Sequence, residues 1–452
     1  MAKQNNPYIC TNCSYQTVKW LGCCPQCHEW ESFSQKHITH VTGAAHATHS
    51  TPVQLHTLDS IPLNSTHRIL SNIDEWDRVF GGGIVPGSFS MISGDPGIGK
   101  STLLLQIAHV LSKNIKVIYF SSEESLEQVK SRAERLQLTT DSSHSILFSD
   151  QAVLDTIIST CIDQKPTVVI IDSIQNCSTA DKQSFPGTVA QLREAAFSLM
   201  RLAKEHRIAI ILSGHITKEG ILAGPKTVEH MVDAVFYLQG EERLNTRVLR
   251  AQKNRFGSIQ EVGFFDMQST GLYQAPHLNE HLVQEASQAP GSVLVSSREG
   301  LRPLLLEVQA LTIASKFGTP QRVITGIDPK HVTIISAVLE KYTHVKLSTQ
   351  DIFVKVSGGF KIKDSSADLS IALALLSSYF QQQVPARSLA MGEISLTGHI
   401  VPLSGGEAHI HHAHRFGIEK LYLPPGQKAP PTPCSITRFS HVIDLMTLFA
   451  LP

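Results

Sequence analysis

The chain has 452 residues, of which 42% are hydrophobic and 17% are charged, a balance typical of a globular protein with two or three domains. Its 39 Lys and Arg match its 39 Asp and Glu, so nucleic-acid binding would depend on local basic patches rather than on a global positive field. The sequence contains neither a run of about 18 apolar residues nor an apolar signal core in MAKQNNPYIC. We therefore expect a cytoplasmic protein without a membrane helix.

The first predicted element, residues 1–34, is a cysteine-rich module. Its spacing is Cys10-x2-Cys13-x10-Cys24-x2-Cys27, which forms two paired-cysteine knuckles. Four thiolates at this spacing close a tetrahedral zinc site and leave no open coordination position. The sequence therefore predicts a structural zinc finger rather than a catalytic zinc centre.

Three other residues of the module receive predictions that do not involve metal. Cys23 is expected to remain a free thiol, because the Cys-Pro-x-Cys knuckle fits Cys24 better. Trp20 and Trp30 are expected to pack the small core of the module rather than to stack on bases. Residues 35–60 are rich in Thr, His and Ser without a clear period, which predicts a linker.

Residues 61–275 alternate short apolar runs with amphipathic patterns. The runs rich in β-forming residues are FSMIS, KVIYFS, PTVVIIDS, IAIILSG and DAVFYLQ, and the helical patterns are LLLQIAHVLSK and VAQLREAAFSLMRLAKEH. Strands that are apolar throughout, with helices between them, indicate a sheet that is covered on both faces. We therefore predict an α/β domain with a mostly parallel sheet.

The strongest motif of this domain is a phosphate-binding loop of the form G-x4-G-K-S, which lies between the strand FSMIS and a helix. The backbone N–H groups of such a loop and the following helix N-terminus cradle phosphates. Lys100 would supply charge to the β- and γ-phosphates, and Ser101 would be a ligand of Mg²⁺. The sequence therefore predicts ATP and Mg²⁺ binding by Gly94, Asp95, Pro96, Gly97, Ile98, Gly99, Lys100, Ser101 and Thr102.

Two acidic positions complete the predicted catalytic set. Asp172 ends the apolar strand VVIIDS and is expected to orient Mg²⁺. Glu123 and Glu124 follow the strand after the P-loop helix, and we favour Glu123 as the base that activates water. The alternative is that the two acids only favour the start of a helix through its dipole.

A compact basic cluster lies in AQKNRFG, residues 251–257, directly after the strand-like RVLR. On its own this segment could be a solvated turn, because Lys, Asn and Gly all favour turns. In a chain without net charge, however, Lys253 and Arg255 also suit a subunit interface or a phosphate.

A polar stretch near 275–290 predicts a boundary, and residues 285–452 are expected to form a second α/β domain. Its apolar patterns are LRPLLLEVQALTI, DIFVKVSG, SADLSIALALLSSYF and KLYLP. The segment HIHHAH has no acidic or cysteine partner, so we predict a solvated helix face and no metal site for His409, His411, His412 and His414.

Taken together and in this order, the motifs resemble the RadA (Sms) family of bacterial DNA-repair proteins, which are RecA-like ATPases. The resemblance rests on CTNC…KWLGCCPQCHEW, WDRVFGGGIVPGS, SGHITKEGILAGPKTVEHMVD and KNRFG, and it covers nearly the whole chain. Cys23 departs from the pattern, because the family usually has a basic residue there. The resemblance implies a hexameric ring with ATP at the subunit interfaces and single-stranded DNA in the channel. It also implies a partnership with the RecA recombinase in branch migration of branched recombination intermediates.

The resemblance also implies roles for individual residues. Lys253 and Arg255 would reach the ATP of the neighbouring subunit and couple its hydrolysis to DNA contact. The loops around 177–188 and 217–229 would contact DNA, with Lys218 and Lys226 as candidate phosphate contacts. A plain surface loop is the alternative for each of these two lysines.

Residues 350–425 resemble the proteolytic domain of Lon. Ser366 falls near the position of the Lon nucleophile, but Glu407 falls where the activating Lys should be, and no Lys occurs between residues 364 and 419. We therefore expect an inactive protease domain that serves assembly and DNA binding. Two other functions stay open: an ATP-dependent Lon-type protease, and a zinc-bearing ATP switch that binds partners without moving on DNA.

Overall fold

The computed structural model of the chain describes residues 8–10, 15–17, 19–27, 29–30, 32–35, 57–60, 67–138, 146–178, 188–215, 226–240, 245–316 and 318–449. Cys13, Lys218 and most of the predicted DNA-contacting loops lie outside these residues. The chain divides into two compact units, Met1–Ser65 and Thr66–Pro452. In the part of the chain that is described, no helix has the length and apolar character that crossing a membrane requires.

The first unit contains a three-stranded antiparallel sheet in the order β2-β1-β3, formed by β1 (Tyr8–Cys10), β2 (Gln16–Thr17) and β3 (Phe33–Gln35). The prediction for the two tryptophans was wrong, because Trp20 is 55% exposed and Trp30 is 74% exposed. Among the described residues, the core of this unit is formed by Cys10, Cys24 and Phe33, with Cys27 packed against them. So small a core cannot cover two indole rings.

The second unit contains a nine-stranded sheet in the order β12-β11-β10-β9-β4-β8-β7-β5-β6. Its strands are β4 (Phe89–Gly94), β5 (Val117–Ser121), β6 (Leu147–Ser149), β7 (Val168–Asp172), β8 (Ala209–His215), β9 (Ala234–Gly240), β10 (Thr246–Asn254), β11 (Val262–Gln268) and β12 (Gly271–Gln274). The six strands from β9 to β6 run parallel, and the last three in chain order add antiparallel pairs. The predicted mostly parallel α/β sheet is therefore confirmed.

Helices cover both faces of this sheet. They are α1 (Asp74–Val79), α2 (Lys100–Leu111), α3 (Leu126–Arg135), α4 (Leu154–Gln164), α5 (Val189–His206) and α6 (Lys226–Glu229). One apolar core contains buried residues of α1 and α2, and a second contains buried residues of α4 and α5. Because each strand between these cores is buried on both faces, its sequence is mostly apolar.

A seven-stranded sheet follows in the order β15-β16-β14-β13-β17-β20-β21, together with the short pair β18–β19. Its strands are β13 (Ser292–Glu299), β14 (Arg302–Ala314), β15 (Arg322–Thr325), β16 (Gln350–Val356), β17 (Ser388–Ala390), β18 (Glu393–Ile394), β19 (Ile400–Val401), β20 (Lys420–Leu423) and β21 (Ser435–Arg438). Its helices are α7 (Leu278–Glu285), α8 (Pro329–Thr343), α9 (Asp368–Phe380) and α10 (Glu407–Ala413). Val248, Val262 and Phe264 of the nine-stranded sheet join the core of this second sheet, so the apolar packing is continuous between the two.

One histidine of HIHHAH differs from the prediction. His411 and His414 are exposed, as expected of a solvated face. His409 is buried, and its Nδ1 lies 2.7 Å from Oγ of Ser296. The prediction was wrong at this position because α10 turns His409 toward β13, a contact more than one hundred residues away in sequence.

The burial of His409 predicts a pH-dependent stability. Burial, assisted by the positive charge of Arg298, lowers the pKa of His409 from 6.5 to about 4, and only Asp364 opposes this shift. Between these two pH values the unfolded chain binds a proton that the folded chain does not, so stability is lost as pH falls. We expect wild-type protein to lose about 2 kcal/mol more unfolding free energy between pH 7 and pH 5 than the His409→Gln variant does.

Urea unfolding at the two pH values measures this difference. His414→Gln, an exchange at an exposed histidine of the same segment, is the matched control and should keep the wild-type pH dependence. Equal pH dependence in wild type and His409→Gln would contradict the prediction.

Candidate active site

The strand order brings the predicted catalytic residues to one edge of the nine-stranded sheet. β8 lies between β4 and β7, and β5 lies on the other side of β7. The carboxyl ends of parallel strands meet at the same edge. The P-loop after β4, Asp172 at the end of β7 and Glu123 just after β5 therefore share that edge.

Lys100 is the first residue of α2 and is buried. Its Nζ donates hydrogen bonds to the backbone oxygens of Gly94 at 2.9 Å and Asp95 at 3.1 Å, so the side chain folds back over its own loop. Burial lowers the pKa of Lys100, and three carboxylates oppose that shift, those of Asp172, Glu123 and Asp95. The structure therefore gathers the P-loop cation and the predicted acids in one electrostatic cluster.

Asp172 is buried, and both of its carboxylate oxygens are held. The hydroxyl of Tyr119 donates to Oδ2 at 2.7 Å, and the hydroxyl of Ser213 donates to Oδ1. Burial and the charge of Asp172 raise the pKa of Tyr119 well above its ordinary value, which keeps this phenol a proton donor. These bonds fix the direction in which the carboxylate faces the P-loop edge.

The two glutamates that follow β5 have different partners. Glu123 is exposed and accepts a hydrogen bond from the hydroxyl of Ser173, which directly follows Asp172. Glu124 instead forms an ion pair with Arg132 of α3. Glu124 is thus held against α3, whereas Glu123 is held beside the end of β7 through Ser173, which agrees with the choice of Glu123 as the candidate general base.

Ser101 and Thr102 lie in the first turn of α2, immediately after Lys100. A hydroxyl there and a carboxylate at the end of β7 are oxygen donors of the kind that Mg²⁺ prefers. The donors present therefore fit a magnesium ion held by Ser101 and Asp172 beside bound phosphates. When bound, the ion would neutralise phosphate charge.

Sequence reasoning missed four residues that support this site. Tyr119, Ser213 and Ser173 hold the two acids, and Arg247 of β10 donates from Nε to the backbone oxygen of Ile98 at 3.2 Å, which ties the P-loop to the sheet. Two of these four residues could have been found from the sequence. Tyr119 and Ser213 are hydroxyl-bearing residues inside otherwise apolar, buried strands, where a polar atom needs a partner.

The basic cluster lies at the other end of the sheet. β10 runs antiparallel to β9, so Asn254 faces Ala234 at the start of β9, whereas Gly94 faces Leu238 four residues further along. This offset corresponds to about 13 Å along the strand, and the P-loop extends further still. Lys253 and Arg255 therefore point away from the P-loop of their own chain.

Each cation of the cluster has an identifiable partner. A β-bulge between Ala251 and Lys253 changes the direction of the Lys253 side chain. The Nζ of Lys253 donates hydrogen bonds to the backbone oxygens of Glu229 at 2.8 Å and His230 at 3.4 Å. Arg255 is 63% exposed and lies 3.4 Å from a carboxylate oxygen of Asp233. Burial and the neighbouring charge of Arg255 lower the pKa of Lys253.

Asn254 and Gly257 fix the backbone around the two cations. Nδ2 of Asn254 donates to the backbone oxygen of Val79 at 3.2 Å, and its Oδ1 accepts from the backbone N–H of Phe256 at 2.9 Å. A Cβ on Gly257 would lie 2.7 Å from Cα of Gly81, so the two backbones touch and glycine is required. The motifs WDRVFGGG and KNRFG are thus two halves of one packed structure.

Lys226 begins α6, and its side chain lies outside the described part of the chain, as does the whole of Lys218.

The predicted nucleophile of the protease-like region, Ser366, is buried, and its hydroxyl donates a hydrogen bond to the carboxylate of Asp364. Glu407 is exposed at the start of α10. Ser366 therefore lies beside an acid rather than beside an activating base.

The metal-binding pattern of the first unit brings cysteine sulfurs together. The sulfur atoms of Cys10, Cys24 and Cys27 all lie within 4.8 Å of one another, and Cys10 and Cys27 are 3.6 Å apart. Tetrahedral zinc with bonds of about 2.3 Å requires sulfur separations of about 3.8 Å. The described thiols therefore fit zinc, with Cys13 as the expected fourth ligand, and Cys23 lies outside the group.

We expect the purified protein to hold about one zinc ion per chain and the Cys24→Ser variant to hold almost none, because loss of a thiolate opens a closed structural site. Metal analysis after dialysis measures this content. Cys23→Ser is the matched control and should keep its zinc. Loss of zinc from Cys23→Ser with retention in Cys24→Ser would contradict the ligand assignment.

Three family models match parts of the chain. An AAA domain matches residues 55–220, which contain the P-loop and the two predicted catalytic acids. A rubredoxin metal binding domain matches residues 8–35, and the subunit ChlI of Mg-chelatase matches residues 318–427. Among solved structures, the RadB recombinase aligns with 46% of this chain and 99% of its own length at 20% identity and a TM-score of 0.36.

Curated relatives match almost end to end. The protein from Listeria monocytogenes is 40% identical over 431 residues, that from Streptococcus pyogenes 42% over 429, and that from Bacillus subtilis 39% over 430. Each alignment covers 94% of this chain and 93% of the relative. All three relatives carry the name DNA repair protein RadA.

Proposed function

This chain belongs to the RadA family of bacterial DNA repair proteins and is an ATP hydrolase, and from that premise we propose that single-stranded DNA drives its hydrolysis of ATP. The hydrolysis would move the protein along DNA and promote branch migration of recombination intermediates. The working form would be a homohexameric ring in the cytoplasm, with the RecA recombinase as its partner. The observation that supports this proposal most is the position of Lys253 and Arg255.

These two cations lie at the end of the sheet remote from their own P-loop. A heterologous, head-to-tail contact between identical chains brings one end of a subunit against the opposite end of the next, and such contacts close into rings. In a ring of this kind Lys253 and Arg255 would face the phosphates of the neighbouring nucleotide. Cations supplied by a partner subunit are an established way to stabilise phosphoryl transfer.

Within one subunit, each residue of the P-loop edge would have a defined role. Lys100 would hold the β- and γ-phosphates, while Ser101 and Asp172 would hold Mg²⁺. Glu123, oriented by the hydroxyl of Ser173, would accept a proton from the attacking water. Hydrolysis would begin only when the cations of the neighbouring subunit complete this arrangement.

A contact of Lys253 suggests how DNA would control that step. Its ammonium rests on the backbone oxygens of Glu229 and His230, at the end of the segment 217–229 that we expect to contact DNA. A phosphate bound by Lys218 or Lys226 would pull on this segment and change the support of Lys253. DNA contact and the trans-acting cation would thus be linked through two backbone carbonyls.

The test is the steady-state rate of ATP hydrolysis with and without single-stranded DNA, followed by ATP-driven branch migration of a three-stranded joint. We expect DNA to raise the rate and ATP to drive migration. A rate that ignores DNA would contradict the proposal and favour the alternative of a zinc-bearing ATP switch.

The alternative of a Lon-type protease has less support. Ser366 is buried beside Asp364, and the position expected for the activating Lys is occupied by the exposed Glu407. A serine without a basic partner is a poor nucleophile. We therefore expect no ATP-dependent degradation of casein, and degradation that is lost in Ser366→Ala would overturn this part of the proposal.

A further inference from the structure

The tip of the β13–β14 hairpin, residues 299–302, joins the second sheet to the nine-stranded sheet on both sides of KNRFG. On one side, Glu299 forms an ion pair with Arg250 of β10, three residues before Lys253. On the other side, the backbone N–H of Leu301 donates to the oxygen of Gln260 at 2.8 Å, three residues after Gly257. The chain therefore contacts the same hairpin both before and after the basic cluster.

The second of these contacts is unusually close. Gly300 has a φ of +62°, and a Cβ at this position would lie 2.0 Å from the backbone oxygen of Gln260. Only glycine permits both that conformation and that approach. The hairpin tip is thus built to lie against the loop that leaves the cluster.

A third contact reaches the cluster indirectly, through α1. Glu75 of α1 is 1% exposed, and its carboxylate accepts from Arg302 and from the backbone N–H of Phe264 at 2.9 Å. The Arg302 guanidinium also lies 4.8 Å above the ring of Phe264. Removal of Arg302 would leave the buried carboxylate with Arg78 alone, a more exposed cation 3.2 Å from its other oxygen, and this loss of charge disturbs the surrounding packing.

The end of α1 transmits this contact to the cluster. Val79, the last residue of α1, accepts the side-chain hydrogen bond of Asn254, and Gly81 packs against Gly257. Arg302 therefore holds α1, and α1 holds the backbone on either side of Arg255. The path consists of one buried ion pair, one short helix, one side-chain-to-backbone hydrogen bond and one backbone contact.

We propose that the hairpin tip of the second sheet sets the position of the basic cluster, with Arg302 as a positioning residue for Lys253 and Arg255. This inference rests on the proposed function, since it presumes that the two cations act on a neighbouring nucleotide. The second sheet would then take a specific part in ATP turnover. A structural shift of that sheet would move the hairpin tip, and the hairpin tip would displace Lys253 and Arg255. Because a displacement of about 1 Å can cost up to about 100-fold in rate, a loosened cluster would hydrolyse ATP poorly even with every catalytic group present.

The test compares Arg302→Met with Arg298→Met. Arg298 lies on the same hairpin but donates to the backbone oxygen of Gly405 at 3.4 Å, within the second sheet and its connections. We expect Arg302→Met to lower the DNA-stimulated kcat on the order of ten-fold with an unchanged KM for ATP. Arg302→Lys should recover part of the loss, and Arg298→Met should behave as wild type. Wild-type kcat in Arg302→Met would overturn the inference.

A double variant separates positioning from general damage. If Arg302 acts through Lys253 and Arg255, adding Arg302→Met to a variant that already carries Lys253→Ala and Arg255→Ala should cause no further loss of DNA-stimulated turnover. Additive losses would overturn the inference while leaving the proposed function intact. A Lys253→Ala variant with full DNA-stimulated turnover would instead remove the proposed function, and with it the premise.

Should Arg302→Met fail to fold, Glu299→Gln carries the same test. It removes one charge from the partly buried pair with Arg250 and leaves the buried Glu75 paired. We expect a smaller loss of DNA-stimulated kcat, about two- to three-fold, in the same direction. An unchanged kcat in Glu299→Gln would overturn the inference.

Discussion

The Lys100→Ala variant should hydrolyse ATP on the order of 10³-fold more slowly than wild type, whether or not single-stranded DNA is present. Lys100 is buried over its own loop, within the electrostatic reach of Asp172 and Glu123, so its ammonium is the charge that offsets these acids beside the phosphates. Without it, the developing charge on the γ-phosphate would face two carboxylates directly. Phosphate release under saturating ATP measures the effect.

Lys113→Ala is the matched control for this variant. Lys113 follows the other end of α2 and is exposed, so its removal changes the charge of the chain equally without touching the site. Its rate should equal that of wild type. A Lys100→Ala variant that kept more than about a tenth of the wild-type rate would contradict the P-loop assignment.

The Lys253→Ala variant should bind ATP normally but lose DNA-driven branch migration, with the DNA-stimulated rate falling roughly 10³-fold. The reason is geometric: the side chain lies too far from its own P-loop to contribute to nucleotide binding there. Its loss would be felt only when a neighbouring subunit hydrolyses ATP. Equilibrium binding of a fluorescent ATP analogue and joint-molecule migration measure the two properties separately.

Arg201→Ala serves as the control for Lys253→Ala. Arg201 is a well-exposed cation of α5 that pairs with Glu205 one helical turn away. Its removal should affect neither property. Normal branch migration by Lys253→Ala would contradict the role given to the basic cluster.

The sequence was most informative where a local pattern has one structural solution. Apolar runs such as PTVVIIDS become strands of a sheet covered on both faces, and a P-loop between a strand and a helix can hardly be anything else. The acids Glu123 and Asp172 follow, because chain order and parallel pairing bring the ends of β5 and β7 to one edge. Each of these elements is a local pattern, and the parallel pairing of the strands then brings their ends together.

Contacts between distant segments could not be predicted in the same way. His409 has a buried partner in Ser296, and Glu75 has one in Arg302 more than two hundred residues away. Neither pair produces a periodic pattern in the sequence, because each polar side chain by itself resembles an ordinary surface residue. The exposed Trp20 and Trp30 are the opposite case, because the size of a core cannot be judged from the presence of large apolar residues.

The most direct test of the whole account mixes two variants that are each inactive, Lys100→Ala and Lys253→Ala. In a randomly mixed ring, about a quarter of the interfaces would join an intact P-loop from one variant to an intact Lys253 from the other. We expect the mixture to regain DNA-stimulated ATP hydrolysis that neither variant shows alone. A mixture that exchanges subunits but stays as inactive as its components would contradict the claim that the cations of one chain act on the nucleotide of the next.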